Sequence, residues 1–381
     1  MPADDSQVWA ALRAVEDPEL GLSIVDLGQV AGVDRAGDRV VVHLALPLPE
    51  EGWPPDELIR RVEAAVGAVP GVAGVDVDRR PMTEGEAADA GRVLKGEPAR
   101  NPLAVVDASA HSAPTPRRNP FTDASTRILA VASGKGGVGK SSVSTNLAVA
   151  LAQRGRQVAA VDADVWGFSL PRMFGVDHPP GVIDDVIIPP RAHGVQLVSM
   201  GFFARDDQAV IWRGPMLHKA LEQFLTDVHW GTPDVLVVDL PPGTGDVALS
   251  VAQLLPGAEV IVVTTPQPAA QRVAQRSAVM AERVNLTVIG VVENMSWFVG
   301  DDGKRYEIFG AGGGQELAGT LGVPLLGQIP LVPALRVGGD VGLPITVSEP
   351  DSPAAAAFVD LAEQVDTMAP RRIRHPELRI S

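Results

Sequence analysis

The sequence has no cysteine among its 381 residues. Within this chain there is therefore no disulfide, thiolate zinc site, cysteine nucleophile or cysteine-ligated iron–sulfur cluster. Long apolar runs are also absent, because none approaches the ~18 residues that span a bilayer. Basic residues are outnumbered, 32 against 47, and the net charge of -15 disfavours contact with phosphate backbones. We therefore expect a chain that binds neither nucleic acid nor membrane.

The first ten residues, MPADDSQVWA, lack the basic and then apolar layout of a secretory signal, which predicts a cytoplasmic protein. The length allows two or three domains. Residues 83–126 are rich in Ala, Pro, Ser, Thr and charges, which predicts a linker between a first domain at 1–82 and a second at 127–381. Within this linker, a short ordered piece is expected only near Val93 and Leu94.

The pattern of residues 1–82 predicts a helix, two strands, a helix and a strand, which is typical of a small α+β domain. The strands are predicted at 30–33, 39–46 and 74–78, and the second helix at about 56–66. Acidic residues outnumber basic ones by 15 to 7 in this domain. It therefore carries much of the negative charge of the chain and suits docking to partners.

From residue 127 onward, short strands alternate with helices. The strands are β-branched and apolar on both parities, as strands buried on both faces are, and this predicts an α/β fold with a doubly wound, mainly parallel sheet. Ligands of such sheets bind beyond the carboxyl ends of the strands. The seven predicted strands cover residues 128–132, 158–161, 195–198, 235–238, 260–263, 288–292 and 325–329.

The first of these strands is followed by SGKGGVGKSS and a helical run, which matches the G-x-x-x-x-G-K-[ST] loop of P-loop NTPases. Glycines let backbone N–H groups turn toward a polyphosphate, and the helix N-terminus adds positive potential. Lys140 is expected to reach the β and γ phosphates, and the Ser141 hydroxyl to ligate Mg²⁺. The predicted nucleotide-binding residues of the loop are Gly134, Lys135, Gly136, Gly137, Val138, Gly139, Lys140, Ser141 and Ser142.

Two further strands bring carboxylates to the same edge of the sheet. Asp162 and Asp164 come at the end of the second predicted strand, and Asp239 ends the fourth. One such residue alone would suit a helix cap equally well, but acids from two strands beside a phosphate loop favour magnesium chemistry. We predict that Asp162, Asp239 and Ser141 organise Mg²⁺. Asp164 and Lys140 are predicted catalytic residues, with Asp164 orienting the attacking water.

The loop GKGGVGKS resembles the deviant phosphate loop of the MinD, ParA and nitrogenase iron-protein superfamily. In that superfamily the first lysine reaches the partner subunit's phosphates across a nucleotide-sandwich dimer. The resemblance therefore implies a homodimer and a catalytic role in trans for Lys135.

The motifs DADVWGFSLPRM, DLPPGTGD, TTPQ and ENMSWF, within about residues 127–345, are similar to the Mrp/ApbC family of iron–sulfur cluster carrier ATPases. The first domain is similar to the PaaD/SufT-like assembly domain through DPELGLSIVDLG and PGVAGVDV. The resemblance implies that Asn294 bonds adenine, which makes the nucleotide ATP. A simpler interpretation of Asn294 is a turn residue at a strand end.

The chain departs from this family where ENMS is usually followed by Cys-x-x-Cys, because Gly300 and Gly303 stand at those positions. Trp53–Pro54 stands where the first domain customarily has Cys-Pro, and the seven histidines show no paired spacing. By resemblance the chain is an ATP-hydrolysing carrier that transfers iron–sulfur clusters to apo iron–sulfur proteins or works with assembly factors, its cluster held by other ligands or by a partner's thiols. The alternative is a cluster-free, nucleotide-switched dimeric adaptor. A MinD-like or ParA-like positioning ATPase is a third, weaker candidate.

Overall fold

The structure, a computed structural model, describes residues 5–47, 56–96, 119–122, 126–165, 167–202, 214–243 and 246–369. These residues divide into two compact units. The first unit contains the described residues up to 96 together with His178–Pro190 and Asp227–Gly231. The second contains the rest of the described chain.

The first unit is built on a three-stranded sheet in the order β1-β2-β3. β1 and β2 pair antiparallel, and β2 and β3 pair parallel. Helices α1 and α2 bury Val8, Leu12, Leu58 and Val62 in a core shared with β2, which confirms the predicted small α+β domain. The elements are α1 (Asp5–Arg13), β1 (Val30–Ala36), β2 (Arg39–Leu46), α2 (Asp56–Gly67), β3 (Gly74–Pro81) and α3 (Glu84–Leu94).

Helix α3 differs from the prediction, which placed a linker here with order only near Val93 and Leu94. A capping box begins the helix, because Thr83 Oγ1 accepts from the N–H of Glu86 and Glu86 Oε2 accepts from the N–H of Thr83. Its apolar side packs in a small buried cluster with Ile183 and neighbouring residues. The many charges and small residues of this segment hid its short apolar face. The predicted limits 1–82, 83–126 and 127–381 otherwise stay predictions.

The second unit contains an eight-stranded sheet in the order β15-β12-β11-β4-β10-β5-β9-β8. All neighbouring strands are parallel except β8 and β9, and all seven predicted strands are present in it. The remaining elements are β4 (Arg127–Ser133), α4 (Lys140–Gln153), β5 (Val158–Asp162), α5 (Leu170–Phe174), β6 (Gly181–Ile183), β7 (Val186–Ile188), β8 (Arg191–Ala192), β9 (Val195–Ser199), a 3-10 turn (Met200–Phe202), α6 (Gly214–Thr226), β10 (Val235–Asp239), α7 (Asp246–Leu254), β11 (Glu259–Thr264), α8 (Pro268–Arg283), β12 (Thr287–Glu293), β13 (Phe298–Val299), β14 (Arg305–Tyr306), α9 (Gly313–Leu321), β15 (Leu325–Gln328), α10 (Pro333–Val341), α11 (Ile345–Ser348) and α12 (Pro353–Thr367). The hairpin β6–β7 belongs to the first unit.

The core of the second unit lies between the sheet and helices such as α4 and α12. Leu129, Leu147, Ile261 and Phe358 are completely buried there. β4 lies between β10 and β11, so the loops that follow these strands share one edge of the sheet. In the described part of the chain, no helix has the length and apolar character needed to cross a membrane.

Candidate nucleotide site

The phosphate loop runs from the end of β4 to the start of α4. Gly134 has no room for a side chain, because a Cβ there would collide with the backbone of Val273 and Ala274 in α8. Gly137 and Gly139 have φ angles of 79° and 80°, a left-handed conformation that other residues rarely adopt. The glycines of the motif thus meet requirements of space and of backbone conformation.

Lys140, Ser141 and Asp239 meet at the buried end of this loop. Lys140 Nζ lies 2.5 Å from Asp239 Oδ2, and Ser141 Oγ donates to the same oxygen at 2.6 Å. Ser144, one turn further along α4, donates to Asp239 Oδ1 at 2.5 Å. Lys140 and Asp239 are 6% and 0% exposed, so this charge pair is shielded from water. An ammonium, a hydroxyl and a carboxylate at the carboxyl edge of the sheet suit a magnesium-bound polyphosphate.

Asp162 ends β5 and pairs in register with Asp239 of the neighbouring strand. Its Oδ1 accepts from the N–H of Asp164 at 3.1 Å, and its Oδ2 accepts from the N–H of Ser169 at 3.0 Å and from Ser199 Oγ at 3.1 Å. Burial raises the pKa of Asp162, and the nearby carboxylate of Asp239 raises it further. Two buried acids on adjacent strand ends favour a bound cation, which would offset their repulsion.

Asp164 lies two residues beyond the end of β5 and is 6% exposed. Its Oδ1 accepts from the N–H of Gly167 at 3.0 Å. The structure therefore places all three predicted carboxylates on or just after adjoining strands, as the parallel sheet requires. The assignment of Asp164 to the attacking water stays a prediction.

The two lysines of the loop point to different partners. Whereas Lys140 contacts Asp239, Lys135 Nζ donates to Gln267 Oε1 at 3.3 Å. Gln267 is the N-cap residue of α8 and belongs to the TTPQ motif. In a single chain Lys135 is therefore held by a neutral amide, which a phosphate oxygen can replace. Its role across a dimer stays a prediction.

Asn294 lies against the phosphate loop. Its Nδ2 donates to the carbonyl oxygen of Val138 at 2.9 Å, and a Cβ on Gly139 would collide with this amide group. The buried Oδ1 of Asn294 has no hydrogen-bond partner among the described residues. An unsatisfied buried acceptor is costly, and the amino group of an adenine would satisfy it. This fits the predicted adenine contact, which stays a prediction.

Several polar residues of the site were not predicted from the sequence. Ser144 and Ser199 donate to the two predicted magnesium carboxylates, and Gln267 accepts from Lys135. Glu293 accepts from the N–H of Gly314 at 2.5 Å, which anchors the end of β12 next to Asn294, the predicted adenine contact. Ser144 was open to prediction, since it follows Ser141 by one helical turn. The other three contacts depend on which elements pack side by side, which the motifs do not contain.

The hairpin β13–β14 holds the positions where the family resemblance places cysteines. A Cβ on Gly300 would lie 2.9 Å from Tyr306 Cε2, and Gly303 has a φ of 73°. Tyr306 Oη donates to Asp302 Oδ2 at 2.8 Å across the hairpin. Among the described residues no group of three or more His, Asp or Glu side chains could hold a metal ion. Trp53–Pro54, the other departure from the family, lies outside the described residues.

Comparisons with known proteins match two successive segments of the chain. Residues 124–366 match the family described as NUBPL iron-transfer P-loop NTPase, and residues 5–77 match the family described as iron-sulfur cluster assembly protein. The chain is 45% identical to the iron-sulfur cluster carrier protein of Mycobacterium leprae, over 94% of this chain and 91% of that protein. It is 40% identical to the protein of the same name from Synechocystis, over 94% and 96% of the two chains.

Solved structures resemble the P-loop part of the chain. A nucleotide-binding protein from Archaeoglobus fulgidus in complex with ADP is 34% identical, with a TM-score of 0.52, over 61% of this chain and 91% of that one. The septum site-determining protein MinD from Pyrococcus horikoshii, complexed with Mg-ADP, is 29% identical, with a TM-score of 0.50, over 64% and 96%. The predicted MinD/ParA-like P-loop fold is thereby confirmed. From these matches and the geometry of the phosphate loop, the chain belongs to the iron–sulfur cluster carrier family of P-loop NTPases.

Proposed function

We propose that this chain hydrolyses ATP as a homodimer and carries iron–sulfur clusters to apoproteins in the cytoplasm. The observation that carries the ATPase proposal is the buried contact of Lys140 and Ser141 with Asp239 beside the phosphate loop. The carrier proposal is supported by relatives named iron-sulfur cluster carrier proteins that match nearly the whole chain. Its partners are then apo iron–sulfur proteins and assembly factors, and we propose neither nucleic acid nor membrane as a partner.

The nucleotide would be held by groups of known geometry in this chain. The N–H groups of residues 134–142 and the ammonium of Lys140 would bind phosphates, and Asn294 would bind adenine. Ser141, Asp239 and Asp162 would hold Mg²⁺, which supplies charge neutralisation on the phosphates when it is bound.

For hydrolysis, the chain itself must position a water molecule and offset developing negative charge. Asp164 lies on the segment between β5 and α5, where a carboxylate can accept a proton of that water and orient it. Lys140 is buried and paired with Asp239, so its ammonium is already shielded from water. It can therefore offset charge on the phosphates without first losing a shell of water. Release of Lys135 from Gln267 would free the second ammonium for the phosphates of a partner subunit.

The cluster is cargo, and the residues of this chain do not fit it. Thiolates are the ordinary ligands of iron–sulfur clusters, and the chain has no cysteine. A cluster carried by this protein would therefore need sulfur ligands from a partner or a small thiol. The same observation favours the second candidate, a cluster-free adaptor that uses ATP to change its partner contacts.

Anaerobic reconstitution with iron and sulfide distinguishes the two candidates. Purified protein would be tested alone and with added glutathione, and bound iron and transfer to an apo-ferredoxin would be measured. The carrier proposal expects transfer that depends on ATP hydrolysis, with Asp164→Ala binding ATP normally but turning it over slowly. Absence of bound iron and of transfer in both conditions would favour the adaptor.

The dimer is tested separately by analytical ultracentrifugation with and without ATP. We expect ATP to shift the wild-type chain from monomer to dimer, and Lys135→Ala to weaken this shift because the trans contact with phosphate is lost. Lys219→Ala, an exposed lysine outside the site, serves as the matched control. An identical oligomer for wild type and Lys135→Ala in both conditions would contradict the role of Lys135.

A further inference from the structure

Helix α8 (Pro268–Arg283) has an inner face that touches the nucleotide site at several points. Ser277 Oγ lies 3.3 Å from the carbonyl oxygen of Ser133 and 3.2 Å from that of Gly243, and so links the phosphate loop to the loop after β10. The backbone of Gly134 packs directly on the helix, and the N-cap residue Gln267 accepts from Lys135. A displacement of α8 would therefore act on both the phosphate loop and the loop after β10.

The outer face of α8 carries three arginines around an apolar centre. Arg272, Arg276, Val279 and Arg283 follow one another at intervals of four, three and four residues, which places them on one side of a helix. All four are exposed, with Val279 at 38%. An open concavity of about 430 Å³ lies beside Arg276, Val279 and Arg283, and is lined also by Gln275 and Met280. We call Arg272, Arg276, Val279 and Arg283 the arginine face.

None of the three guanidinium groups lies within 4.0 Å of a carboxylate in the part of the chain that the structure describes. Most other arginines of the described chain do have such a partner, as Arg127 has in Glu259 and Arg336 in Asp340. This concentration of unpaired positive charge is unusual in a chain whose net charge is -15. The arginine face is therefore complementary to an acidic surface.

We propose that the arginine face binds an acidic segment of a partner protein, with carboxylates on Arg272, Arg276 and Arg283 and an apolar side chain on Val279. Arginine is favoured at such contacts because its planar donors match carboxylates in pairs. A nucleic acid fits less well, because three cations around an apolar centre are few for a phosphate backbone and the rest of the chain is acidic. The proposal holds for a cluster carrier and for a cluster-free adaptor alike.

Binding at this face is expected to reach the nucleotide. The inner face of the same helix holds the backbone of Gly134 and the hydroxyl bridge of Ser277, so a partner that shifts or stiffens α8 changes the loops that bind phosphate. We therefore expect the acidic partner segment to alter the rate of ATP hydrolysis as well as to bind.

The test uses a fluorescent helical peptide whose glutamates repeat the spacing of the three arginines around a central leucine. Its affinity is measured by anisotropy for the full-length wild type, for Arg272→Glu/Arg276→Glu and for Arg79→Glu. Arg79 is an exposed arginine of β3 without an ion pair among the described residues and is the matched control. We expect roughly tenfold weaker binding for the double variant only, a loss that shrinks as salt is raised, and a peptide-dependent change in ATP hydrolysis that the double variant lacks.

Four outcomes would overturn the proposal. They are absence of peptide binding, equal binding to all three proteins, equally tight and equally variant-sensitive binding of a single-stranded oligonucleotide, and loss of ATP-dependent dimerisation in the double variant, which would assign the face to a second copy. Basal ATP hydrolysis and thermal unfolding of the double variant verify its fold. Should the double variant unfold, Arg276→Gln and Arg283→Gln replace it with the same expectations at smaller size. Because basal hydrolysis and cluster transfer are measured without peptide, failure here is distinguishable from failure of the proposed function.

Discussion

The phosphate loop and the hairpin β13–β14 hold charged side chains in opposite ways. At the loop, Lys140 and Asp239 are buried together and are satisfied by hydroxyls from α4. In the hairpin, Asp302 contacts both Lys304 and Tyr306 on the surface. The side chains of Asp302 and Lys304 are 41% and 76% exposed, and Tyr306 is 45% exposed. Buried charge is costly unless it is compensated, so the first cluster indicates a site built for a charged ligand. The second indicates a turn that holds itself together without one.

Removing the buried ammonium should have the largest effect. We expect Lys140→Ala to lower ATP hydrolysis by roughly 100-fold or more, because a preorganised cation at the transferred phosphate is lost. Phosphate release from the purified protein measures this. Lys304→Ala, which removes an exposed lysine of the hairpin, is the matched control and should hydrolyse ATP at the wild-type rate. Equal losses in the two variants would remove the distinction between the regions.

Removing one hydroxyl from the buried cluster should have a smaller, structural effect. Ser144→Ala leaves Asp239 Oδ1 without its donor, and an unsatisfied buried acceptor costs about 1–3 kcal/mol. We expect a lower free energy of unfolding in urea. Thr320→Ala also removes a helical hydroxyl, but an exposed one that donates within its own helix, and should change stability by less than about 0.5 kcal/mol. A Ser144→Ala protein as stable as wild type would show that water replaces the hydroxyl.

Most of the candidate nucleotide site was predictable from the sequence, because its residues either belong to one motif or stand at the carboxyl ends of parallel strands. Lys140 and Ser141 belong to one contiguous motif. Asp239 ends an apolar strand, and the parallel strands beside it end at the same edge of the sheet. The contact between Ser199 and Asp162 was not predictable, because it depends on β9 lying beside β5.

The arginine face was not predictable either. Ala270, Ala274 and Ala278 recur at the spacing of a helix, but whether Arg272 or Arg276 has a carboxylate nearby depends on what packs beside α8. Helix α3 was missed for a related reason, since its few apolar residues become a core only against Ile183 and Ile188 from a distant part of the chain. Non-local partners thus account for what the motifs left out.

Restoring thiols to the hairpin tests whether it is an intact metal site that lacks only its ligands. We expect Gly300→Cys/Gly303→Cys to be destabilised by about 1–2 kcal/mol, because Gly303 has a left-handed φ and Gly300 is crowded by Tyr306. After anaerobic reconstitution we expect no more iron and sulfide per chain than in Gly85→Cys/Gly319→Cys, whose glycines have open space and ordinary φ. A stable cluster at the hairpin alone would mean that the turn retains the geometry for iron.

The smallest effect is expected at an exposed polar cluster in the first unit, where His43 lies between Asp34 and Asp78 on the three-stranded sheet. Both ring nitrogens lie 3.1 Å from a carboxylate oxygen, so the imidazolium donates to both. The hydrogen bond to Asp34, and then that to Asp78, raises the pKa of His43 above its usual 6.5. The stabilisation is therefore complete below pH 6.5 and is lost as the pH rises through the higher pKa of the folded protein.

Proton NMR titration of the His43 Cε1 signal measures the midpoint, which Asp34→Asn should lower most and Asp78→Asn next. Because the cluster is exposed, each shift should be small and should shrink with salt. A wild-type midpoint at or below 6.5 would mean that solvent screens this cluster fully, whereas the buried pair at the phosphate loop has no such screening.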